Sequence, residues 1–426
     1  SIISIAFISK ILSTVARVLT AREIGQEGMG IFMLITPIMI LSINIIQMSF
    51  PTSIAKLIAQ NKFKTKNIII TTSIIALIIN SLFMIILISF SPFIANSILK
   101  NPKTLLALNG LALLIPLISM GGLLKGYYAG IGKIEITGYS QVSEEIARIA
   151  FILIFGGFFF SKDPAYGAFG AVLGMCAGEV FSLSHMIFSL KSLGRKTRGF
   201  VRGFVDKSNL LVREILSISM PLTGGKLIGS LTYFLEPIVI NNVLLRQGMG
   251  IDLITREYGV LSGYAMPLLL MPGFFAYSFG RVLLQPMTSL LAKNENKKAR
   301  KLFLTMSLSS LAVGLVSGII LFLFPNEVML LLYKTSEGAH YVKFFALPFI
   351  LYYLEAPLIA AMTAINKHQK MLVIDIFCSF IRIGLLFVLL PALKMAGVAI
   401  ATTISFILLV VFLAYYVIKE LYKKKL

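Results

Sequence analysis

An all-α polytopic membrane protein, with about twelve transmembrane helices in two six-helix lobes, is the fold class this sequence predicts. Three observations carry that reading. Of the 426 residues, 57% are hydrophobic and only 13% are charged, whereas a soluble domain carries about a quarter charged residues. Mean hydropathy is +0.90. Apolar runs of about 18 residues or more, enough to cross a bilayer as helices, recur from end to end. The short alternating segments of a membrane β-barrel are not the pattern here.

Twelve spans are expected in order, at about 2–20, 29–58, 67–98, 104–124, 139–160, 166–190, 213–244, 257–291, 302–324, 341–364, 371–391 and 396–418. Pro37, Pro51, Pro237, Pro267, Pro272 and Pro286 lie inside them and predict kinked or tilted helices. The first run holds Lys10 and Arg17 and has no small-residue cleavage site, so it reads as a span rather than a cleavable signal. Cys176 and Cys378 sit inside apolar runs and read as small buried residues, not as a disulfide framework. With no tryptophan in the chain, any aromatic belt at the interface must be Tyr and Phe.

The formal net charge is +21. Its placement, in loops between spans, argues against a nucleic-acid partner. With the amino terminus inside, the inward loops 59–66, 125–138, 191–213, 292–301, 365–370 and the tail from Lys419 carry 23 Lys and Arg, and the outward loops and their edges carry 9. Basic residues concentrate on the cytoplasmic side of membrane proteins, so the expectation is a multi-pass protein of the cell membrane with both termini cytoplasmic. The longest inward loop, 191–213, divides an N-terminal lobe (1–190, spans 1–6) from a C-terminal lobe (214–426, spans 7–12). Six spans per lobe leave both lobes in one orientation, as parallel repeats. A short echo agrees: Pro51-Thr-Ser ends span 2, Pro286-Met-Thr-Ser ends span 8, and each precedes a lysine-rich inward loop.

Polar residues inside the spans fall at helical spacing. Span 1 gives Lys10, Thr14 and Arg17; span 2, Ser49, Ser53 and Lys56; span 7, Ser219, Thr223, Lys226 and Ser230; span 8, Ser278, Arg281 and Gln285. Ionisable residues within a membrane are costly and mark function by default, so these four stripes are expected to face a shared polar cavity. The structural alternative is snorkelling, strongest for Lys56 and Arg281 near span ends. Glu144 and Glu145 precede Arg148 by one turn and read as an internal ion pair; Asp375, Ser379 and Arg382 form a similar stripe. Glu179, Glu236 and Glu355 have no cation three or four residues away. They are expected to pair with cations on other spans or to relay protons or sodium ions. Gly170, Gly174 and Gly178 form a small-residue packing face. His185, His340 and His368 show no ligand spacing. No phosphate-binding loop and no nucleophile–base arrangement is present, so no enzyme, no resident cofactor and no metal site is expected.

These residues carry a resemblance. Ser9-Lys10-Ile-Leu, Ala21-Arg22-Glu-Ile-Gly25, Gly28-Met-Gly-Ile-Phe, Phe50-Pro51-Thr-Ser-Ile-Ala-Lys56 and Ile228-Gly-Ser-Leu-Thr-Tyr-Phe-Leu-Glu236-Pro237 resemble the stage V sporulation protein B group. That group belongs to the multidrug/oligosaccharidyl-lipid/polysaccharide exporter superfamily, beside the lipid II flippases. The resemblance implies a V-shaped exporter of two six-helix lobes that moves lipid-linked, pyrophosphate-bearing cell-wall or polysaccharide precursors between leaflets. It implies cavity-facing cations at Lys10, Arg17, Lys56 and Arg281. Many relatives have fourteen spans, the last two forming a groove for the lipid tail; with twelve expected here, that groove is absent or formed otherwise.

The sequence thus favours a flippase for an anionic lipid-linked saccharide, with Lys10, Arg17, Lys56, Lys226 and Arg281 as substrate-binding candidates and Glu179, Glu236 and Glu355 as candidates for proton or sodium coupling. The rivals are a multidrug cation antiporter, which should have an acidic cavity, and a non-transporting membrane scaffold that recruits cell-wall synthesis enzymes.

Overall fold

A computed structural model describes residues 2–160, 163–192 and 208–422. They form helices α1 (Ile2–Gln47), α2 (Phe50–Ala59), α3 (Thr65–Phe93), α4 (Leu105–Gly130), α5 (Ile134–Phe159), α6 (Pro164–Ser192), α7 (Ser208–Arg246), α8 (Ile251–Gly259), α9 (Met266–Leu270) and α10 (Gly273–Ala292). Next come α11 (Asn296–Leu323), α12 (Pro325–Tyr333), α13 (Ala339–Ala346), α14 (Phe349–Tyr352), α15 (Glu355–Ala364), α16 (His368–Leu393) and α17 (Met395–Tyr422). No strand occurs among the described residues. The protein is an all-α polytopic membrane protein.

Helices long and apolar enough to cross a membrane number eight among the described residues, or ten when two bent pairs each count once. The expectation was twelve, and the difference has two physical sources. Expected spans 2–20 and 29–58 run together as one stretch, Ser4–Ala59. The expected fifth span, α5, carries Glu144, Glu145 and Arg148 and so loses apolar character. The bent pairs are Ile251–Leu270 with Gly273–Ala292, at 50°, and Ala339–Ala346 with Phe349–Ala364, at 64°. The first bend falls where Pro272 precedes α10, in keeping with the kinks read from proline.

Helix α1 needs a break because its 46 residues would extend about 69 Å, over twice the roughly 30 Å of hydrocarbon in a bilayer. Gly25 supplies it, with φ 68° and ψ −178° inside an otherwise helical run. That region is open essentially to glycine alone. A second break follows at Met48 and Ser49, with φ of 40° and 53°, just before Pro51 opens α2.

The chain forms two compact units, Ser1–Phe234 and Leu235–Leu426. Most of the 191–213 loop lies outside the described residues. The start of α7 belongs to the first unit: Leu211 and Ile215 are buried with Phe50, Ile54, Tyr128 and Met186. Within each unit the same expected spans pack together. In the first, α2 packs on α4, so closely that a Cβ at Gly126 would lie 2.7 Å from Pro51 Cα. In the second, α10 packs on α15, where a Cβ at Gly280 would lie 2.8 Å from the Ala356 carbonyl oxygen. These are spans 2 with 4 and 8 with 10. Likewise α5 packs on α6 and α16 on α17, spans 5 with 6 and 11 with 12.

A Cβ at Gly25 would meet no atom within 4 Å, so the constraint there is backbone conformation alone. Gly25→Ala is expected to destabilise by about 1–3 kcal/mol. Gly224→Ala, in open space inside α7, is expected to stabilise by about 0.5–1 kcal/mol. Thermal unfolding in detergent reads both; equal effects would remove the conformational role of Gly25.

Candidate functional site

Two of the four polar stripes meet in the first unit. Ser219 Oγ donates to Ser53 Oγ at 3.0 Å, and Thr223 Oγ1 lies 3.4 Å from Ser49 Oγ. All four hydroxyls are buried. The stripes of α2 and α7 therefore form a closed hydrogen-bonded seam along this stretch rather than the opposing walls of an open cavity. The pairing runs antiparallel, 49 with 223 and 53 with 219. Lys56 and Lys226 each lie three residues past the seam in opposite directions. Lys56 is level with position 216, so about 15 Å of helix axis separates it from Lys226. Both lysines are exposed.

Lys10 and Arg17 are exposed on α1, with Thr14 between them donating to the Lys10 carbonyl at 3.0 Å. Arg281 is exposed on α10, and Ser278 one turn earlier donates to the Phe274 carbonyl at 3.0 Å. Among the described residues, Lys10, Arg17, Lys56, Lys226 and Arg281 make no ion pair.

The carboxylates behave differently. Arg148 on α5 reaches Glu144 and Glu145, each at 3.1 Å, which is the internal pairing expected from spacing. Lys125 on α4 adds a contact to Glu144 at 3.8 Å. Ser13 on α1 hydrogen-bonds Glu145, and Lys10 contributes to the field there. Glu179 on α6 stands in the field of Lys125, Glu144, Arg148 and Glu145. The glycine face of α6 makes this closeness possible: a Cβ at Gly178 would sit 2.9 Å from the Glu144 carbonyl oxygen, and one at Gly170 would sit 2.7 Å from Phe159 Cβ. Lys125 was read as a loop cation; its partner lies 19 positions away on another helix, and no local spacing could reveal it.

In the second unit, Glu236 on α7 pairs with Arg382 on α16 at 2.7 Å, with the Glu236 side chain 8% exposed. Glu236 thus does pair with another span, as expected. Arg382 is therefore not reserved for Asp375 in its own stripe, which corrects that reading: the seven-residue spacing leaves the guanidinium free to reach across to α7. Glu355 on α15 stands beside Tyr352, which in turn stands beside Tyr277 on α10. Asp375 lies in the electrostatic field shared by Glu355 and Arg382. The tyrosines give no sequence signal of this role, since both read as apolar span residues.

A profile of the family described as polysaccharide biosynthesis protein matches residues 1–291. The chain is 31% identical to stage V sporulation protein B of Bacillus subtilis (strain 168) over 420 residues, covering 96% of this chain and 80% of the relative. Its fold is similar to that of lipid II flippase MurJ in an inward closed conformation, with TM-score 0.75, 16% identity, and 99% and 88% of the two chains covered. It is also similar to an inward-facing multidrug resistance MATE family transporter of the MOP superfamily, with TM-score 0.71, 16% identity, and 97% and 94% covered.

The Arg382–Glu236 pair generates a stability prediction. Arg382→Ala leaves a buried carboxylate without its cation and is expected to cost about 3–5 kcal/mol. The double variant Glu236→Gln with Arg382→Gln should recover most of that loss, because no net charge remains buried. Detergent thermal shifts measure both, and equal losses in the single and double variants would rule the pair out as the cause.

Proposed function

Because the chain belongs to the polysaccharide biosynthesis protein family, we propose that this membrane exporter is a flippase for an anionic lipid-linked saccharide. The cargo class is a peptidoglycan precursor or polysaccharide unit, carried from the inner to the outer leaflet by alternating access. The observation that carries the reading is the sorting of charge. Glu144, Glu145 and Glu236 have cations within 4 Å in their own units, whereas Lys10, Arg17, Lys56, Lys226 and Arg281 are exposed and make no ion pair among the described residues. A pyrophosphate matches that surplus. Lysine meets it as a point charge and arginine as a bidentate fork. Carrying it through about 30 Å of hydrocarbon needs a polar path. Sequence similarity to the lipid II flippase MurJ of Bacillus subtilis (strain 168), 21% identical over 440 residues, supports a lipid-linked cargo. The likeness to a multidrug transporter extends to the fold alone, and unpaired cations on the stripes disfavour a cationic drug.

The bias of 23 to 9 basic residues supports cytoplasmic termini. Cysteines placed at Asp163 or Gly248 should react with an impermeant reagent added outside, and one at Lys196 should not. The reverse pattern would overturn the orientation.

Arg17 tests the cargo reading. It lies about 10 Å beyond Lys10 along α1, so a headgroup can pass from one cation to the next. In proteoliposomes carrying a pyrophosphate-linked lipid saccharide, Arg17→Ala should abolish flipping while the protein still inserts, since removing a charge eases insertion. Arg17→Lys should restore part of the rate, keeping the charge but losing the fork. Full activity in Arg17→Ala would sink the assignment.

A further inference from the structure

We propose that Glu179, with Glu144 and Glu145 around it, is a proton-binding site in the N-terminal unit, and that the flippase loads and empties it during transport. The inference rests on the flippase reading for its role in the cycle, but not for the existence of the site.

The geometry points there in three ways. First, Glu179 is 7% exposed, and its Oε2 accepts no hydrogen bond. No cation lies within 4 Å of it among the described residues. An ionised carboxylate in that position is costly unless something compensates it. Second, the surrounding charges are already committed. Arg148 is engaged by Glu144 and Glu145 at 3.1 Å each, and Lys125 by Glu144 at 3.8 Å. Glu144, Glu145 and Glu179 with Arg148 and Lys125, the two cations within 4 Å of any of them among the described residues, carry one net negative charge, which one added proton cancels. Third, the carboxylate is held by close packing: a Cβ at Gly121 on α4 would lie 3.1 Å from Glu179 Oε2.

The elements packed on α6 bring these titratable and charged groups. Lys125 faces Glu179 from α4, and Glu144, Glu145 and Arg148 face it from α5. Cys176 lies one turn away on α6 itself. From α1, Lys10 acts on Glu145. The 3-10 turn Pro102–Thr104 brings Lys103, whose Nζ is bound to Glu27 at 2.6 Å. A metal ion would meet the guanidinium and ammonium groups already among the carboxylates, whereas a proton needs no coordination shell. The site therefore takes a proton rather than sodium.

The chemistry is one reversible step: the Glu179 carboxylate takes a proton from hydronium, leaving water and a carboxylic acid, and returns it to water as hydronium. Infrared difference spectra test this on the purified full-length chain in liposomes, without substrate, between acidic and alkaline buffer. Wild type should show the carbonyl stretch of a buried carboxylic acid at the acidic end. Glu179→Gln should lose that band, and Glu179→Asp should shift it. No such band in wild type, or an unchanged band in Glu179→Gln, would overturn the proposal. Loss of the wild-type band when sodium replaces potassium at constant ionic strength would assign the site to sodium and overturn it as well. A second arm uses flipping under an imposed pH gradient. Wild type should change rate several-fold with the gradient, and Glu179→Gln should lose that dependence. An unchanged gradient response in Glu179→Gln would overturn the role in transport. A wild-type chain that shows the band but flips no lipid-linked saccharide would retain the proton site and sink the cargo reading instead.

Discussion

Inside hydrocarbon, a charge must be compensated by another charge, by water or by cargo, and the arrangement of this protein follows from that constraint. Each unit pairs some of its own carboxylates with its own cations. Arg148 serves two glutamates of its helix and Lys125 reaches one of them from α4. In the second unit Arg382 reaches Glu236 from another helix. What is left over is mostly positive: among the described residues five span cations make no ion pair, against Glu179 and Glu355. That remainder is why the proposed cargo is an anion.

The sequence made some of this readable and hid the rest, for physical reasons. Pairings within one helix depend only on the 3.6-residue repeat, so Glu144, Glu145 and Arg148 were readable from spacing alone. The glycine face of α6 was readable for the same reason, and it lies against Phe159, Phe151 and Glu144 of α5. Partners on different helices depend on packing angles that no local pattern encodes. Lys125 therefore looked like a loop cation and Arg382 looked like a partner of Asp375. The span count differs through continuity: Gly25 turns the backbone inside one helical run, so apolar stretches that read as two spans are joined in a single element.

The hydroxyl stripes show how one pattern can serve two purposes. Serine and threonine at helical spacing beside a lysine suit either the lining of a wet cavity or the contact between two helices. Ser53 with Ser219 and Ser49 with Thr223 resolve to contact, each group finding its partner on the opposite helix. Such bonds between membrane helices average about 0.6 kcal/mol, so a seam of two holds α2 against α7 without locking it. Separation of helices at that seam would expose four hydroxyls, each able to bond water or a saccharide.

Under the proposed function, the same seam sets where Lys56 and Lys226 would meet a cargo. Because the pairing is antiparallel, the two lysines stand at opposite ends, their Cα levels about 15 Å apart along the axis. In the proposed flippase a single pyrophosphate is too short to span both Cα levels, so the two lysines would contact different parts of the cargo or the same headgroup at different stages. Lys10 and Arg17, about 10 Å apart on one face of α1, repeat that spacing of charge. A series of separated cations lowers the cost of the headgroup at each level without creating one deep well. That suits passage over retention, since a site that gathered all its charge at one depth would hold a pyrophosphate too strongly to release it.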